Sequence, residues 1–477
     1  MTELPKGWAQ ASVEELATTG GVTDGPFGSN LKTEHYTDAG PRVVRLQNIG
    51  DGVFRDERAH ISDEHFRCLQ KHSVQENDVL VASLGEVLPR ACLAPASLGP
   101  AIVKADCIRV RPAECVAPAY LAWALNAPQT RSHVSESIKG VGRPRINLRD
   151  LRALQLPVAP LSEQERIVTA IEEAFSKLDA GEAGLRTVRQ LLKRMRDAVL
   201  NAAVTGRLVP QDPTDTPATK LLADLGVEPL DGPDLGPIPE SWAWAGLDAL
   251  NDPSRPICYG ILKPGPHTPD GVPYVEVRSL RSGHIEPESL PRSHRDVEKG
   301  FVRSRLQPGD LTIAIRGTTG RVATVPPTLQ EGNVSRDCAR VAVVGADARY
   351  VQAYLRGPLA QSFFAARVRG VAVKGINIGD LRRLPVAIPP IEEQHRIAVE
   401  VDRQLSDLDA CERAVDAGLT RSAALRRSVL KAEFEGRLVP RDPSDELASV
   451  LLARIRAERP DPTTTPRKRG AAARRTL

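Results

Sequence analysis

The sequence lacks long apolar runs and paired cysteines. No stretch approaches the roughly 18 consecutive apolar residues of a membrane-spanning helix, and the first residues lack the basic and apolar regions of a signal peptide. The seven cysteines are scattered singly, without a Cys-x-x-Cys pair. Neither a zinc site nor a disulfide framework is therefore supported. These absences favour a cytoplasmic protein with reduced thiols.

Three catalytic signatures are also missing. The two Pro-Pro pairs, Pro326-Pro327 and Pro389-Pro390, do not lie in the Asn/Asp-Pro-Pro-Tyr/Phe segment that an adenine methyltransferase needs. The glycine-rich segment Gly317 to Arg321 has no Gly-Lys-Ser/Thr ending, so we interpret it as a tight turn and not as a phosphate loop. No Asp followed by Glu-x-Lys is placed to hold a nuclease metal. We predict a non-catalytic chain without a cofactor or metal of its own.

Charge and size leave several kinds of protein open. Lysine and arginine number 64 against 60 acidic residues, for a formal net charge of +4. This excess is too small to imply a polyanionic partner, although the basic residues are clustered and the acidic ones lie mainly on predicted helices and linkers. The 477 residues, of which 41% are hydrophobic, suggest roughly two to four domains with ordinary cores.

The main feature present is an internal repeat. Residues 146–223 return as 376–453 at a constant offset of 230 residues, without a gap. Glu163-Gln164 recurs as Glu393-Gln394, and Gly206 to Pro210 recurs intact as Gly436 to Pro440. Upstream the similarity loosens, and Asp106-Cys107 matches Asp337-Cys338 one residue out of step. Such a long period excludes a solenoid and indicates two large modules, each with a variable globular part and a nearly invariant helical part.

Apolar residues at steps of three and four predict a long helix in each repeat. In the first copy they are Val168, Ile171, Phe175, Leu178, Leu185, Val188, Leu192, Met195 and Val199, and in the second they include Val401, Leu405, Leu408 and Val415. Ser162 and Glu165 predict a capping box at the start of the first helix, and Gly206 predicts its end. Gly181 and Gly184 predict a bend or local break.

The helices present one apolar stripe each, which needs a partner. We predict that the two copies pair as an antiparallel coiled coil. The alternative is that they are core helices of two separate domains. In the globular parts, Asp78 to Ala82 and Asp310 to Ile315 predict buried strands, each followed by a glycine.

The chain resembles the specificity subunits of type I restriction-modification systems. The resemblance covers nearly the whole chain, and it rests on motifs that occur in both halves and on one further motif in each globular part. These are Leu4 to Trp8 and Ile238 to Trp242, Gly25 to Ser29, Ile313 to Gly320, and Ile146 to Gln164 and Ile376 to Gln394, the last two being followed by Gly-Arg-Leu-Val-Pro.

The resemblance implies a mixed α/β fold with two target-recognition domains, separated by two long helices in an antiparallel coiled coil with a pseudo-twofold repeat. It implies domains at 1–157 (first target-recognition domain), 158–210 (first helical region), 211–237 (linker with a short helix), 238–387 (second target-recognition domain), 388–440 (second helical region), 441–459 (short C-terminal helix) and 460–477 (disordered basic tail).

The resemblance further implies a DNA-binding subunit without catalysis. Its partners would be double-stranded DNA, two methyltransferase subunits and two motor-nuclease subunits. S-adenosylmethionine, magnesium and ATP would then belong to those subunits. Each target-recognition domain would recognise one half of a bipartite asymmetric site, with half-sites about 10 base pairs apart, centre to centre. The helices would set the spacer and dock the methyltransferase subunits. The rival interpretation is a coiled-coil scaffold that does not bind DNA. A self-contained restriction enzyme is excluded by the missing motifs.

Basic loops near the helix junctions are the candidate DNA contacts, because Lys and Arg neutralise phosphates while Arg and Asn also recognise base edges. The candidates are Ser29, Asn30, Lys32, Lys139, Arg143, Arg145, Arg316, Arg321, Arg367, Arg369 and Lys374. The alternative for each is ordinary surface charge. We interpret Asn147 and Asn377 as braces of the strand-to-helix junctions, and Trp8 and Trp242 as packing residues.

Overall fold

A computed structural model describes residues 4–137, 143–231, 235–280, 283–369 and 375–457. Contacts divide the chain into two compact units, one formed by Met1–Gly184 with Gly418–Leu477 and the other by Leu185–Ala417. This division cuts both long helices, so the predicted domain boundaries stay predictions. The predicted tail, 460–477, lies outside the described residues. None of the described helices has the length and apolar character needed to cross a membrane.

The globular part of the first unit consists of short strands and helices that pack around two sheets. The strands are β1 Ala9–Ser12, β2 Ala17–Asp24, β3 Tyr36–Val44, β4 His60–Ile61, β5 Ser73–Val74, β6 Val79–Ala82, β7 Arg90–Leu93, β8 Ala101–Val103, β9 Cys107–Pro112 and β10 Gln155–Val158, and the helices are α1 Asp63–Cys68, α2 Pro118–Asn126, α3 Pro128–Ser137 and α4 Leu148–Ala153, followed by the long helix α5 Leu161–Val204. The sheets have the orders β2-β9-β6-β7 and β4-β3-β8-β5, and β1 pairs with β10.

The second unit repeats part of this architecture. Its elements are α6 Ala218–Asp224, β11 Ala243–Gly246, β12 Cys258–Tyr259, β13 Val272–Val275, β14 Arg292–Ser293, α7 Arg295–Glu298, β15 Leu311–Ala314, β16 Val322–Thr324, β17 Asn333–Val334, β18 Cys338–Val341, α8 Ala348–Arg356, α9 Pro358–Arg367, α10 Ile378–Arg382 and β19 Pro385–Ile388, followed by the long helix α11 Ile391–Glu433 and, in the first unit, α12 Ala448–Ala457. The order β12-β18-β15-β16 corresponds to β2-β9-β6-β7. The predicted buried strands are β6 and β15, and both are fully buried.

Segments of the two long helices pack antiparallel within each unit, as predicted. In the first unit Ser422 donates from Oγ to Glu182 (2.8 Å), and Arg426 forms an ion pair with Asp179 (2.5 Å). In the second unit the ion pairs join Arg189 with Asp416, and Arg196 with Asp409. Residue numbers rise along α5 while they fall along α11. The mixed fold with two paired long helices is therefore confirmed.

The predicted apolar stripe on α5 is wrong in part. Val188 and Met195 are 42% and 46% exposed, whereas Leu192 is buried. Arg189 and Arg196 occupy the neighbouring positions that pair with α11, so the packed face of α5 is rotated away from Val188 and Met195. The second-copy stripe is confirmed, since all four of its predicted residues are buried.

Two further predictions about α5 are wrong. The predicted local break at Gly181 and Gly184 is wrong, because the helix is continuous through both residues, which are exposed and face open space. Ser162 is not an N-cap, because the helix begins at Leu161 and the Ser162 hydroxyl donates to Asp445 (2.7 Å). The predicted end is confirmed: α5 ends at Val204, and Gly206 has the positive φ of 70° that favours glycine.

Both glutamates of the repeated Glu-Gln pair are buried where a long helix begins. Trp8 donates its indole N–H to Glu163 (3.0 Å), and Trp242 donates to Glu393 (2.9 Å). Both indoles are buried, which confirms the predicted packing role. Burial raises the pKa of each carboxyl, and the tryptophan hydrogen bond opposes that rise. These residues recur because each joins a long helix to its globular part.

The glutamines of the pair serve the same joint. Gln164 accepts from the backbone N–H of Ala117 and donates to the carbonyl of Ala159, and Gln394 makes the equivalent two bonds in the second unit. Both glutamines are fully buried. Buried polar groups need such partners, so the joint fixes the direction in which each long helix leaves its globular part.

The C-terminal segment has the same role in the first unit as the linker has in the second. Asp445 forms an ion pair with Arg166 (2.6 Å), as Asp215 does with Arg396 (2.5 Å). The backbone N–H of Ala448, in α12, donates to Gly7 in the segment before β1 (3.0 Å). The first residue of α6 makes the equivalent bond before β11 (2.9 Å). Each unit is thus completed by a short helix that follows a long one.

The first unit carries one buried acid that the second lacks. Glu433 is 1% exposed, and its Oε2 has no hydrogen-bond partner among the described residues, while the repeat places Ala203 at the equivalent position. Burial raises the pKa of Glu433 to about 7 from an ordinary 4.5, with a smaller contribution from Glu163. Because the folded-state pKa is the higher one, protonation stabilises the fold at low pH. This contribution is lost as the pH rises from about 4.5 through 7.

We therefore expect the melting temperature of the first unit to fall by a few degrees between about pH 5 and pH 8, and to fall less in Glu433→Gln. Differential scanning calorimetry across that pH range measures both slopes. Equal slopes for the two proteins would show that Glu433 does not carry this pH dependence.

Candidate nucleic-acid interface

The segments just before the two helical regions extend equivalent sheet edges. In the first unit Arg145 forms an isolated bridge with Leu84, and the N–H of Ile146 donates to Ser83 (2.9 Å). In the second unit Gly375 forms the bridge with Arg316, and the N–H of Ile376 donates to Ile315 (2.8 Å). These matching bonds make Arg145 equivalent to Gly375, and Leu84 equivalent to Arg316.

An aspartate at the same position in each unit lies within ion-pair distance of an arginine. The carbonyl of Asp106 accepts from Ser83, as that of Asp337 accepts from Ile315, which confirms their match in the sequence. Asp106 forms an ion pair with Arg145 (2.8 Å), and Asp337 lies 3.9 Å from Arg316. The two arginines come from opposite sides of the equivalent bridge. Sequence comparison misses this pairing, because the arginines do not align.

The first of these sites is well defined by its neighbours. Asp106 has a positive φ of 66°, which Asp tolerates better than most residues. The guanidinium of Arg145 also lies over the ring of Phe27, 5.5 Å from its centroid. The arginine remains about half exposed. A guanidinium that pairs with a carboxylate on one side and is exposed to solvent on the other can donate to a phosphate or a base edge.

The loop with the three predicted polar contacts is fixed by two histidines. Ser29 and Asn30 lie in an exposed turn, and Lys32 follows, also exposed. The Nε2–H of His65 donates to the carbonyl of Asn30 (2.9 Å), and Nδ1 of His35 accepts from the N–H of Lys32 (3.0 Å). The two rings stack with centroids 4.1 Å apart. No sequence pattern had indicated this histidine pair.

In the second unit the structure brings two of the predicted arginines together. Arg369 exchanges backbone hydrogen bonds with Gly375 (2.9 and 3.0 Å), whose other side faces Arg316. Arg367 stacks over Phe363 at 3.6 Å. Arg321 does not join these arginines, because it lies at the other end of the glycine turn and is half-buried. It lines a cavity of about 660 Å³ together with Arg196 and Arg356.

The remaining predicted residues divide into three groups. Arg143 is exposed, and Lys139 and Lys374 lie outside the described residues. Asn147 and Asn377 cap α4 and α10, since each side chain accepts from a backbone N–H three residues later, and this confirms their bracing role.

Within the described ranges, no group of three or more His, Cys, Asp or Glu side chains is arranged to hold a metal ion.

Comparison with known proteins gives consistent relatives. The chain is 30% identical over 345 residues to the type I restriction enzyme EcoBI specificity subunit of Escherichia coli, with 70% of each chain covered. It is 24% identical over 494 residues to the EcoKI specificity subunit of Escherichia coli strain K12, with 96% of each covered.

Among solved structures, a chain from a study of the assembly and conformational transition of the type I R-M system matches with a TM-score of 0.63. The identity is 19%, and 92% of this chain and 100% of that chain are covered, so the match concerns the fold. No protein-family model matches the sequence.

Proposed function

Because this chain belongs to the specificity subunits of type I restriction enzymes, we propose that each globular part recognises one half of a bipartite, asymmetric DNA site. The observation that carries this proposal is the arginine–aspartate pair at the equivalent edge of each unit, Arg145 with Asp106 at 2.8 Å and Arg316 with Asp337 at 3.9 Å. Different surrounding loops on one repeated frame suit two unlike half-sites. The paired long helices then set the spacer.

A salt titration separates this function from the scaffold alternative. A specificity subunit binds its target duplex in preference to a scrambled duplex, and the affinity falls steeply as salt rises, because bound Lys and Arg release counterions from phosphates. A scaffold shows neither the preference nor the slope. The chain is tested together with its methyltransferase subunits, in fluorescence anisotropy with labelled duplexes.

The chain contributes recognition and not catalysis in this proposal. Methyl transfer with S-adenosylmethionine, and cleavage driven by ATP and magnesium, belong to two methyltransferase and two motor-nuclease subunits. The absence of the corresponding sequence motifs supports this division of labour, and the name shared by the relatives agrees with it. The proposed assembly acts in the cytoplasm of a prokaryotic cell.

We assign the docking of the methyltransferase subunits to the repeated Gly-Arg-Leu-Val-Pro segments. The glycines are needed for the chain reversal at each helix end, with φ of 70° at Gly206 and 65° at Gly436. Folding alone does not explain the identical leucines, because Leu438 is 51% exposed and Leu208 is partly exposed. Val399, which is 58% exposed, lines the same hollow as Leu208. The two copies share the exposed leucine, whereas the equivalent of Val399 in the first copy is Thr169. Two equivalent leucines suit two copies of one partner.

Replacing Leu438 by Asp should remove one methyltransferase subunit from the assembly and leave the other. A charge in the centre of an apolar interface typically costs more than tenfold in affinity. Native mass spectrometry of the assembly measures the stoichiometry, with Leu425→Asp as a control at an exposed leucine outside the repeated segment. Retention of both subunits would place the docking face elsewhere.

A further inference from the structure

Each unit exposes one large apolar side chain at the same place in its sheet. The strands β2 and β12 are equivalent, and the antiparallel pairing shows where each one ends. The last residue of β2, Asp24, pairs with Ile108, and the last residue of β12, Tyr259, pairs with Ala339. Phe27 and Leu262 each lie three residues after the end of these strands, and they are 46% and 48% exposed.

Each of these loops begins with a glycine for a steric reason. A glycine follows each strand, and a Cβ on Gly25 would lie 2.1 Å from the backbone of Lys104, while one on Gly260 would lie 2.0 Å from the backbone of Val334. Only glycine allows the loop to pass so close to the neighbouring strand. The two loops therefore present Phe27 and Leu262 from equivalent positions, although the residues around them differ.

Basic residues neighbour both side chains. Arg145 lies over Phe27, and the exposed Lys32 follows in the same loop. Beside Leu262, Lys263 is exposed, and Arg336 donates its backbone N–H to the carbonyl of Ile261 (2.9 Å). The charge favours a nucleic acid over an apolar protein surface as the molecule that covers these residues.

An exposed apolar residue is common on protein surfaces and needs no function. Here the two residues occupy one structural position in two globular parts that otherwise diverge, and each lies near the aspartate that pairs with an arginine. In a complex with DNA, such a side chain stabilises binding when it is removed from water and packs against an apolar part of a base. The candidates are the C5-methyl group of thymine in the major groove and the face of an unstacked base.

We propose that Phe27 and Leu262 are the apolar base contacts of the two half-sites, one in each half. The inference rests on the proposed function, and it adds base recognition by side chains that carry no charge or hydrogen-bonding group. The neighbouring arginines position the loop on phosphates or polar base edges, and the apolar residue discriminates between bases.

The test uses the complex of the full chain with its methyltransferase subunits, and the target duplex found by mapping methylated adenines. Phe27→Ala and Leu262→Ala should each weaken binding to the target about tenfold. Affinity for a scrambled duplex and the salt dependence should stay unchanged, because no phosphate contact is removed. Val53→Ala and Val344→Ala change other exposed apolar residues in the two units, which are 62% and 37% exposed, and these variants should have no effect.

Two DNA substitutions identify the partner of each side chain. If the contact is a thymine methyl group, uracil at one position weakens the wild-type complex and does not weaken the alanine variant further. If the contact is an unstacked base, the fluorescence of 2-aminopurine placed beside it increases when the wild-type complex binds. The fluorescence does not increase with the alanine variant. Phe27→Leu introduces the residue type that the other unit has at this position. It should keep most of the affinity that Phe27→Ala loses.

Unchanged affinity for the target in both alanine variants would overturn the inference. An equal loss on target and scrambled duplexes would overturn it as well, since it would show a general electrostatic or folding role. If the wild-type complex itself shows no sequence preference, the proposed function fails first, and that outcome is distinct from both.

Discussion

A chain that ends at residue 440 is expected to lose the folded state of its first unit and to keep that of the second. Four side chains of α12 are almost fully buried in the first unit: Ala448, Leu451, Leu452 and Ile455. Truncating a single buried Leu or Ile to Ala costs about 2–5 kcal/mol, and whole domains are stable by only about 5–15 kcal/mol. Loss of the Asp445–Arg166 ion pair adds to this cost.

The second unit is expected to survive because its equivalent helix, α6, is internal to the chain. Hydrogen–deuterium exchange with mass spectrometry measures both units in one sample. The control ends at Ala457, retains α12 and should exchange like the full chain. Protection of residues 9–158 in the shorter chain would show that the C-terminal segment does not complete the first unit.

The second large effect concerns the spacer of the DNA site. Deleting residues 186–192 from α5 and 413–419 from α11 removes seven residues from each helix, and with them both partners of the Arg189–Asp416 ion pair. Seven residues are close to two helical turns, so the packed faces stay nearly aligned. At 1.5 Å per residue the helices shorten by about 10 Å, which corresponds to about three base pairs at 3.4 Å each.

We therefore expect the deletion to shorten the spacer by about three base pairs and to leave both half-sites unchanged. The paired substitution Arg189→Ala with Asp416→Ala removes the same ion pair without a change in length, and should keep the original spacer. Mapping of methylated adenines gives the result for each variant. An altered half-site with a constant spacer would contradict the role assigned to the helices.

The repeat made much of this structure predictable. The recurrence of short motifs identified the residues that join helix and globular part, because a buried glutamate that accepts from an indole tolerates few replacements. Trp8 and Glu163 are the example, with the same pair in the second unit. The helix caps Asn147 and Asn377 were predictable for the same reason, since local hydrogen bonds need only local sequence.

Features that depend on contacts across the fold were not predictable. Val188 and Met195 fit the apolar spacing of α5, but ion pairs to α11 decide which face packs. Arg145 and Arg316 were both candidates, yet only the β-bridges show that they reach equivalent aspartates from opposite sides. A one-residue shift and a divergent loop are enough to hide such a relation from sequence comparison.

The central claim is that one chain with two unlike recognition units specifies one bipartite DNA site. Mapping methylated adenines across the host genome, with and without this chain, tests it most directly. We expect a single asymmetric two-part motif with a fixed spacer, which disappears when the chain is deleted and returns when it is restored. A methylation pattern that does not change on deletion, or a dependent motif that is continuous or palindromic, would contradict it.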